Sequence, residues 1–437
     1  MDPPDGVERI PGFREAVAFW AKLGLISFGG PAGQIAIMHR ELVETKRWIG
    51  EGHFLHAVNL CMLLPGPEAQ QLATYLGWRL HGAKGGVVAG GLFILPSALL
   101  LLGLSWLYIA GGNVPWLAGL FHGLSAAVVA VVFEAVGRIG KRALRGPALW
   151  AVAAGAFALI FWGKVSFVLI IALAALTGFF GHAWFPALFP PANRHAGGDG
   201  DGVGGIRLPA VPLRSVGGYL RVAAIGLALW WAPVMASAIW LGPESIQTRM
   251  GLFFSKAALV TFGGAYAVLP YVAQEAVEAH GWLTHEQMLS GLALAETTPG
   301  PLIIVLQFVG FVGAWQAPGG LDPLLSGVLG AMMTTWVTFL PSFLFIFLLG
   351  PQVERLGELP KLSAALTGIT AAVVGVILNL AVTLGIHVVW PGAGQPPDLP
   401  LVLLAVASFV ALHRFRVNLL WVIAVCGFLG LFIPWPH

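Results

Sequence analysis

Two glutamates and two lysines stand in stretches that otherwise carry almost no charge, and each lies near an interruption of the helical pattern. Glu68 directly follows Pro65-Gly66-Pro67, and Glu296 is separated from Pro299-Gly300-Pro301 only by Thr297 and Thr298. Lys22 and Lys256 each precede by six residues a Phe-Gly-Gly triplet, Phe28-Gly29-Gly30 and Phe262-Gly263-Gly264. A Pro-Gly-Pro run must break a helix, and its second proline can restart one. The restarted end exposes unpaired N–H groups and the positive end of the helix dipole, which together suit an anion. Adjacent glycines permit a second sharp turn. Pro65, Gly66, Pro67, Gly300, Gly29, Gly30, Gly263 and Gly264 are therefore candidate anion-binding backbone. Asn59, Gln70, Gln71, Thr297 and Thr298 can add neutral hydrogen bonds, and Lys22 and Lys256 positive charge. A carboxylate is a poor partner for an anion but a good proton carrier, which assigns Glu68 and Glu296 to proton coupling or gating. Arg40, flanked by His39 and Glu41, can attract anions from outside. Plainer roles compete: a proline kink, close packing at the glycines, a helix cap at Glu68, lysines snorkelling to an interface and a topogenic Arg40.

The elements that must position these groups are membrane helices. Of the 437 residues 57% are hydrophobic and 10% charged, at a mean hydropathy of +0.83, whereas soluble domains carry about a quarter charged residues. Runs 86–109 and 324–349 contain no charge and exceed the roughly 20 residues a crossing helix needs. The chain reads as an all-α polytopic membrane protein. Its polar start, MDPPDGVERIPGFREA, has no basic region or cleavage site of a secretory signal and is expected to be retained. Cys61 and Cys426 read as small packing residues. A net charge of +3 spread over short loops gives no nucleic-acid footprint. His39, His53 and His56 lack a metal spacing, and no nucleophile or cofactor motif is present, so neither an enzyme nor a bound cofactor or metal is indicated.

Thirteen apolar segments divide as six, one and six, separated by a Gly- and Pro-rich linker at 186–212. Residues 19–67 align without a gap on 253–301, with 15 of 49 positions identical. Among them are Phe19/Phe253, Lys22/Lys256, Glu41/Glu275, Glu44/Glu278, Trp48/Trp282 and both break motifs. Leu95-Pro96-Ser97 later matches Leu340-Pro341-Ser342, after an eleven-residue insertion. The chain therefore divides into a first repeat (1–185), a linker with a connecting transmembrane helix (186–249) and a second repeat (250–437). Trp48 and Trp282 read as interfacial anchors. Loop 39–53 carries Arg40, Lys46 and Arg47 and loop 138–146 carries Arg138, Lys141, Arg142 and Arg145, while their counterparts 271–287 and 383–398 carry no Lys or Arg. The positive-inside rule then predicts inverted repeats. All basic loops, and the linker 186–217, share the cytoplasmic face only if the FGG and PGP segments are re-entrant hairpins, giving nine crossings and four hairpins.

The stretches 27-SFGGPAGQIAIMHRELVETKRWI-49 and 60-LCMLLPGPEAQQLATYLGW-78 resemble the signature of bacterial chromate ion transporters. The second half, with 261-TFGGAYAVLPYV-272 and 295-AETTPGPL-302, is similar to the divergent repeat of the long, two-domain members. That resemblance implies a multi-pass protein of the bacterial inner membrane that exports chromate from the cytoplasm, driven by the proton-motive force, with sulfate as competitor. Protons, the lipid bilayer and a second copy of the chain are its expected partners. An importer or exchanger of sulfate or another oxyanion, and a membrane anion sensor without transport, are the alternatives.

Overall fold

The computed structural model describes residues 10–28, 30–111, 114–189, 214–352, 360–390 and 396–433, and the regular elements among them are all helical. Gly29 and most of the linker, residues 190–213, lie outside the described residues. In the first repeat, α1 (Phe13–Ile26) stops before the glycines and α2 (Gly30–His39) follows them. Next, α3 (Glu51–Leu63) runs to Pro-Gly-Pro, and α4 (Glu68–Ala110) is broken at His81-Gly82 into arms 68–80 and 83–110. Helices α5 (Pro115–Ala143), α6 (Pro147–Phe161) and α7 (Phe167–Trp184) complete it. The connecting helix α8 (Val216–Trp240) leads to α9 (Ile246–Leu259), α10 (Ala265–Ala273), α11 (His285–Thr297) and α12 (Val305–Gln316). Finally come α13 (Pro323–Leu349), α14 (Pro360–Val389), α15 (Leu399–His413) and α16 (Leu419–Gly430).

Six of these, α4, α5, α7, α8, α13 and α14, are long and apolar enough to cross a membrane, whereas α6, α15 and α16 have 15, 15 and 12 residues. Apolar segments 17–37, 54–77, 250–271 and 287–312 are not single helices. The arms α1 to α3 and α9 to α12 have 9 to 14 residues, about 14–21 Å at 1.5 Å per residue and too short for a ~30 Å hydrocarbon core. The arms α1, α2 and α3 pack on α4, and α9 and α12 pack on α13. His81 Nε2 lies 2.8 Å from the Pro11 carbonyl and its ring packs edge-on against Phe13, so α1 begins on the face where the first arm of α4 ends. Trp78 packs on Phe347, whose carbonyl accepts from Arg214, so the end of α13 and the start of α8 share that face. The 25-residue α8 then leads to the other face, where α9 begins at Ile246. The helix α9 therefore starts at the far end of α8 from the Trp78–Phe347–Arg214 cluster.

The repeat survives in backbone detail. Both α2 and α10 end in a π-helical turn, Arg40–Thr45 and Gln274–Ala279, closed by Lys46 N–H to Glu41 O and His280 N–H to Glu275 O, each 2.9 Å. That turn swings Trp48 against Phe19 and Trp282 against Phe253, at 5.3 and 5.6 Å between ring centroids. Each tryptophan is only 6% exposed. The expectation of interfacial anchors is thus corrected: these residues are buried against a phenylalanine of their own repeat, and their recurrence reflects that packing. The insertion also has a place, since the first repeat turns at His81-Gly82 while the second uses Ala317–Asp322 and extra helix at the start of α13.

The two repeats exchange helices. Helices α6 and α7 pack on α14, while α15 and α16 pack on α5. Small residues let the backbones approach: Gly123 lies on Gly430 and Gly368 on Gly178, so close that a β-carbon on Gly123 or Gly368 would meet backbone. The sequence units 1–185 and 250–437 are therefore intertwined.

Candidate functional site

The breaks of the two repeats lock into each other. Gly66 of the first Pro-Gly-Pro donates its N–H to the carbonyl of Thr261, the residue before the second Phe-Gly-Gly, at 2.7 Å. Gly300 of the second Pro-Gly-Pro donates to Ser27, before the first Phe-Gly-Gly, at 2.8 Å. Ser27 and Thr261 are repeat counterparts, as are Gly66 and Gly300, so the same bond is made twice in opposite senses. Gly66 (φ 128°) and Gly300 (φ 104°) have the left-handed backbone these turns require. A β-carbon on Gly66 would stand 2.5 Å from Ser342 Oγ, and one on Gly300 2.6 Å from Ser97 Oγ. The matching Leu-Pro-Ser triplets are thus the seats on which the opposite repeat's break rests.

Buried amides line this junction. Gln34 Nε2 donates to Gly300 O (2.6 Å), Gln71 Nε2 to Pro65 O (2.7 Å), Gln70 Nε2 to Thr74 Oγ1 (3.0 Å) and Gln307 Nε2 to Ala98 O (2.7 Å). The carbonyl oxygens of these four amides, and the Ser342 hydroxyl, have no partner among the described residues. Buried polar atoms are normally paired, so a cluster of unpaired ones marks a place built to meet something else. Thr297 and Thr298 spend their hydroxyl protons on the Leu294 and Ala295 carbonyls at the end of α11. Asn59, six residues before Pro65, is half-buried. Pro67 caps the restarted helix, with Glu68 in its first turn.

The carboxylates occupy different surroundings. Glu296 accepts a 2.5 Å hydrogen bond from Tyr266 Oη on α10, while Glu68 is half-buried in the first turn of α4. Neither has a carboxylate counterpart, since Met62 and Leu302 hold the matching positions. The lysines are not brought to the breaks. Lys22 is exposed beside Leu25 and Ile26 on the outer stripe of α1, and Lys256 beside Leu252 and Leu259 on α9, as expected of side chains that snorkel from an apolar face. Arg40 is exposed in the π turn, 3.8 Å from Glu41.

A cavity of about 490 Å³ opens between α5, the end of α15 and the breaks. Of its lining, Gly30, Tyr266 and Glu296 are buried or half-buried, and Arg138, Lys141, Arg142 and Arg416, with His413, are exposed; Glu134 is half-buried. Arg138 pairs with Glu134 at 3.4 Å. Gly30 itself, at φ 71°, faces open space. Among the described residues a smaller cavity, about 310 Å³, lies toward the opposite face and is lined by Lys164, Glu278, His285 and His387, the two imidazoles stacked 3.7 Å apart. A third, of similar volume, adjoins the buried His122–Asp398 pair (2.8 Å) and Glu286. Neither touches a break residue.

Several of these residues are invisible to motif reading. Tyr266 sits two positions after Gly264 in one repeat only, Ser27 and Thr261 differ in identity, and Arg138, Lys141 and Arg142 look like topogenic loop charge. The hydroxyl shared by Ser27 and Thr261, and the serine of the two Leu-Pro-Ser triplets, were the available signals.

The family described as "Chromate transporter" matches residues 14–179 and 248–431, one block per repeat. The chain is 34% identical over 432 residues to a chromate transport protein of Pseudomonas aeruginosa, covering 96% of this chain and 92% of that one. It is 29% identical over 406 residues to one of Cupriavidus metallidurans (92% and 88%) and 28% over 374 to a probable chromate transport protein of Synechococcus elongatus (85% and 84%). No solved structure matches it. With both repeats matched and relatives aligned over nearly their full length, the chain belongs to the chromate transporter family.

Proposed function

We propose that this protein is a secondary active transporter that exports chromate, a tetrahedral dianion, from the cytoplasm across the bacterial inner membrane at the expense of the proton-motive force. The observation that carries this reading is the reciprocal bonding of Gly66 to Thr261 and of Gly300 to Ser27. It gathers the broken helices of both repeats at one junction, the arrangement by which inverted-repeat transporters hold substrate near the midplane. Backbone N–H groups at the restarted helices, the amides of Gln70 and Gln71, and Asn59 are the donors for chromate oxygens. Rotating the Gln70 amide makes Thr74 the donor and frees both its N–H groups, which satisfies the unpaired oxygen as well.

Sidedness follows from charge. The face that gathers Pro11, His81, Phe347 and Arg214 also carries the basic turns of the chain, and by the positive-inside rule we read it, with the linker 186–217, as cytoplasmic. An inside-negative potential then drives a dianion outward, at about 4.6 kcal/mol per 100 mV, roughly a 2,000-fold gradient. Glu68 and Glu296 carry protons or gate the junction. Sulfate, of like charge and shape, competes.

The test is purified protein in liposomes with an imposed potential. Chromate flux toward the positive compartment, inhibited by excess sulfate, supports the reading; flux no greater than in protein-free liposomes overturns it, and flux only against the potential with a proton gradient would make the chain an oxyanion importer.

A further inference from the structure

The two faces carry cavities built from corresponding positions, and their charges differ. At the 490 Å³ cavity, α5 contributes Glu134, Arg138, Lys141 and Arg142 and the end of α15 leads to Arg416. At the 310 Å³ cavity the repeat counterparts are Asn379, Thr383, Ile386 and His387 from α14, and Lys164 after α6. Four permanent cations on the basic face thus face one on the other, where Glu278 also stands. The cationic cavity is the one that reaches the breaks, ending at Gly30, Tyr266 and Glu296. The opposite cavity ends against the His285–His387 stack instead.

We propose that the cavity bounded by Arg138, Lys141, Arg142 and Arg416 is the loading site for a tetrahedral dianion, and that its charge excess over the repeat-related cavity sets a higher affinity on the basic face than on the other. The inference rests on the transport reading above and adds the site and the origin of its asymmetry. Two carboxylates, Glu134 and Glu296, offset four cations, leaving an excess that matches a dianion. Arg138 is the pivotal residue: its guanidinium is partly spent on Glu134 at 3.4 Å and retains N–H groups for an oxyanion. Protonation of Glu296, hydrogen-bonded to Tyr266 at the floor, raises the positive excess. Proton and dianion therefore favour each other's binding there, by reciprocal linkage.

Charge-assisted hydrogen bonds to an oxyanion are individually worth about tenfold or more in affinity. The decisive variant gives α5 the character of its counterpart: Arg138→Thr, Lys141→Ile and Arg142→His together. Chromate binding is measured by equilibrium dialysis in nanodiscs of zwitterionic lipid, and transport KM is measured from each face in oriented vesicles. The triple variant is expected to weaken binding at least about 100-fold and to raise KM only from the basic face, while Arg138→Lys stays within about tenfold of native and Lys164→Gln, on the opposite face, leaves binding unchanged. Because the triple change could unfold the chain, Arg138→Gln alone is run beside it, with about tenfold weaker binding expected. Glu296→Gln, which holds the floor neutral, should bind chromate more tightly than native.

Unchanged chromate affinity in both Arg138→Gln and the triple variant overturns this inference and leaves the transport reading intact. No chromate binding by the native protein overturns both. The same oxyanion chemistry could come from a lipid phosphate. If anionic-lipid nanodiscs abolish chromate binding while the variants bind chromate like native in zwitterionic lipid, the basic residues hold headgroups and the inference fails.

Discussion

Gly300→Ala is the sharpest probe of the interlocked breaks. The residue sits at φ 104°, where a β-carbon is strained by about 1–2 kcal/mol. The new methyl would stand 2.6 Å from Ser97 Oγ and 2.9 Å from Ser97 Cβ, and Phe93 O lies at 3.4 Å. Ser97 belongs to the packed interior of α4, so relief requires helix movement and costs about 1–3 kcal/mol more. Any shift also lengthens the 2.8 Å bond to Ser27 O, worth about 1 kcal/mol. The changes together amount to at least about 3 kcal/mol, roughly a 150-fold shift in the folding equilibrium. Reversible detergent denaturation in mixed micelles reads that loss, and vesicle transport reads its functional share. Ser97→Gly in the same background should restore the clash portion but not the backbone strain. Gly103→Ala, with nothing within 4 Å, serves as the control and should be neutral or slightly stabilising. Native stability and native transport in Gly300→Ala would refute the interlocking of the two repeats.

Other outcomes follow from the same geometry. Tyr266→Phe removes the hydroxyl that holds the Glu296 carboxylate and should lower transport about tenfold or more while leaving stability within about 1 kcal/mol, measured as initial uptake rate and denaturation midpoint. Asp398→Asn breaks a buried pair with His122 and should cost about 3–5 kcal/mol, whereas leucine at both positions is expected to restore most of it. Lys22→Gln and Lys256→Gln, at exposed side chains on the outer stripes of α1 and α9, should keep chromate KM within about twofold of native. Cysteines placed at Gly50 and Lys84 should react with an impermeant thiol reagent from one side of the membrane and a cysteine at Lys164 only from the other, the native Cys61 and Cys426 being buried.

The helices and the repeat were legible because apolar runs and rare residues leave a trace in one dimension. Phe-Gly-Gly and Pro-Gly-Pro announced the helix ends found at both motifs, while the inversion expected from the loop charges rests on the positive-inside rule. What failed to show was anything decided by the three-dimensional packing of the helices. Trp48 and Trp282 look like interface residues by position, yet a π turn folds each against a phenylalanine. Lys22 and Lys256 look like buried cations, yet helical phase turns both outward. Thr297 and Thr298 look like free donors, but the end of α11 takes their protons. Conversely Arg138, Lys141 and Arg142 read in sequence only as topogenic loop charge, and the fold also sets them around the cavity that reaches the breaks. Ser97 and Ser342 were visible as a repeated triplet, and only the fold shows each seated against the other repeat's glycine.

The most direct test is uptake of radiolabelled chromate into inside-out membrane vesicles, energised or not, by the native chain and by Gly66→Ala, Gly300→Ala and Glu296→Gln at matched protein levels. Expected is energy-dependent uptake that sulfate competes against, nearly abolished by either glycine substitution and uncoupled from the proton gradient in Glu296→Gln. Uptake that equals empty vesicles, or that survives both glycine substitutions at the native rate, would contradict this reading.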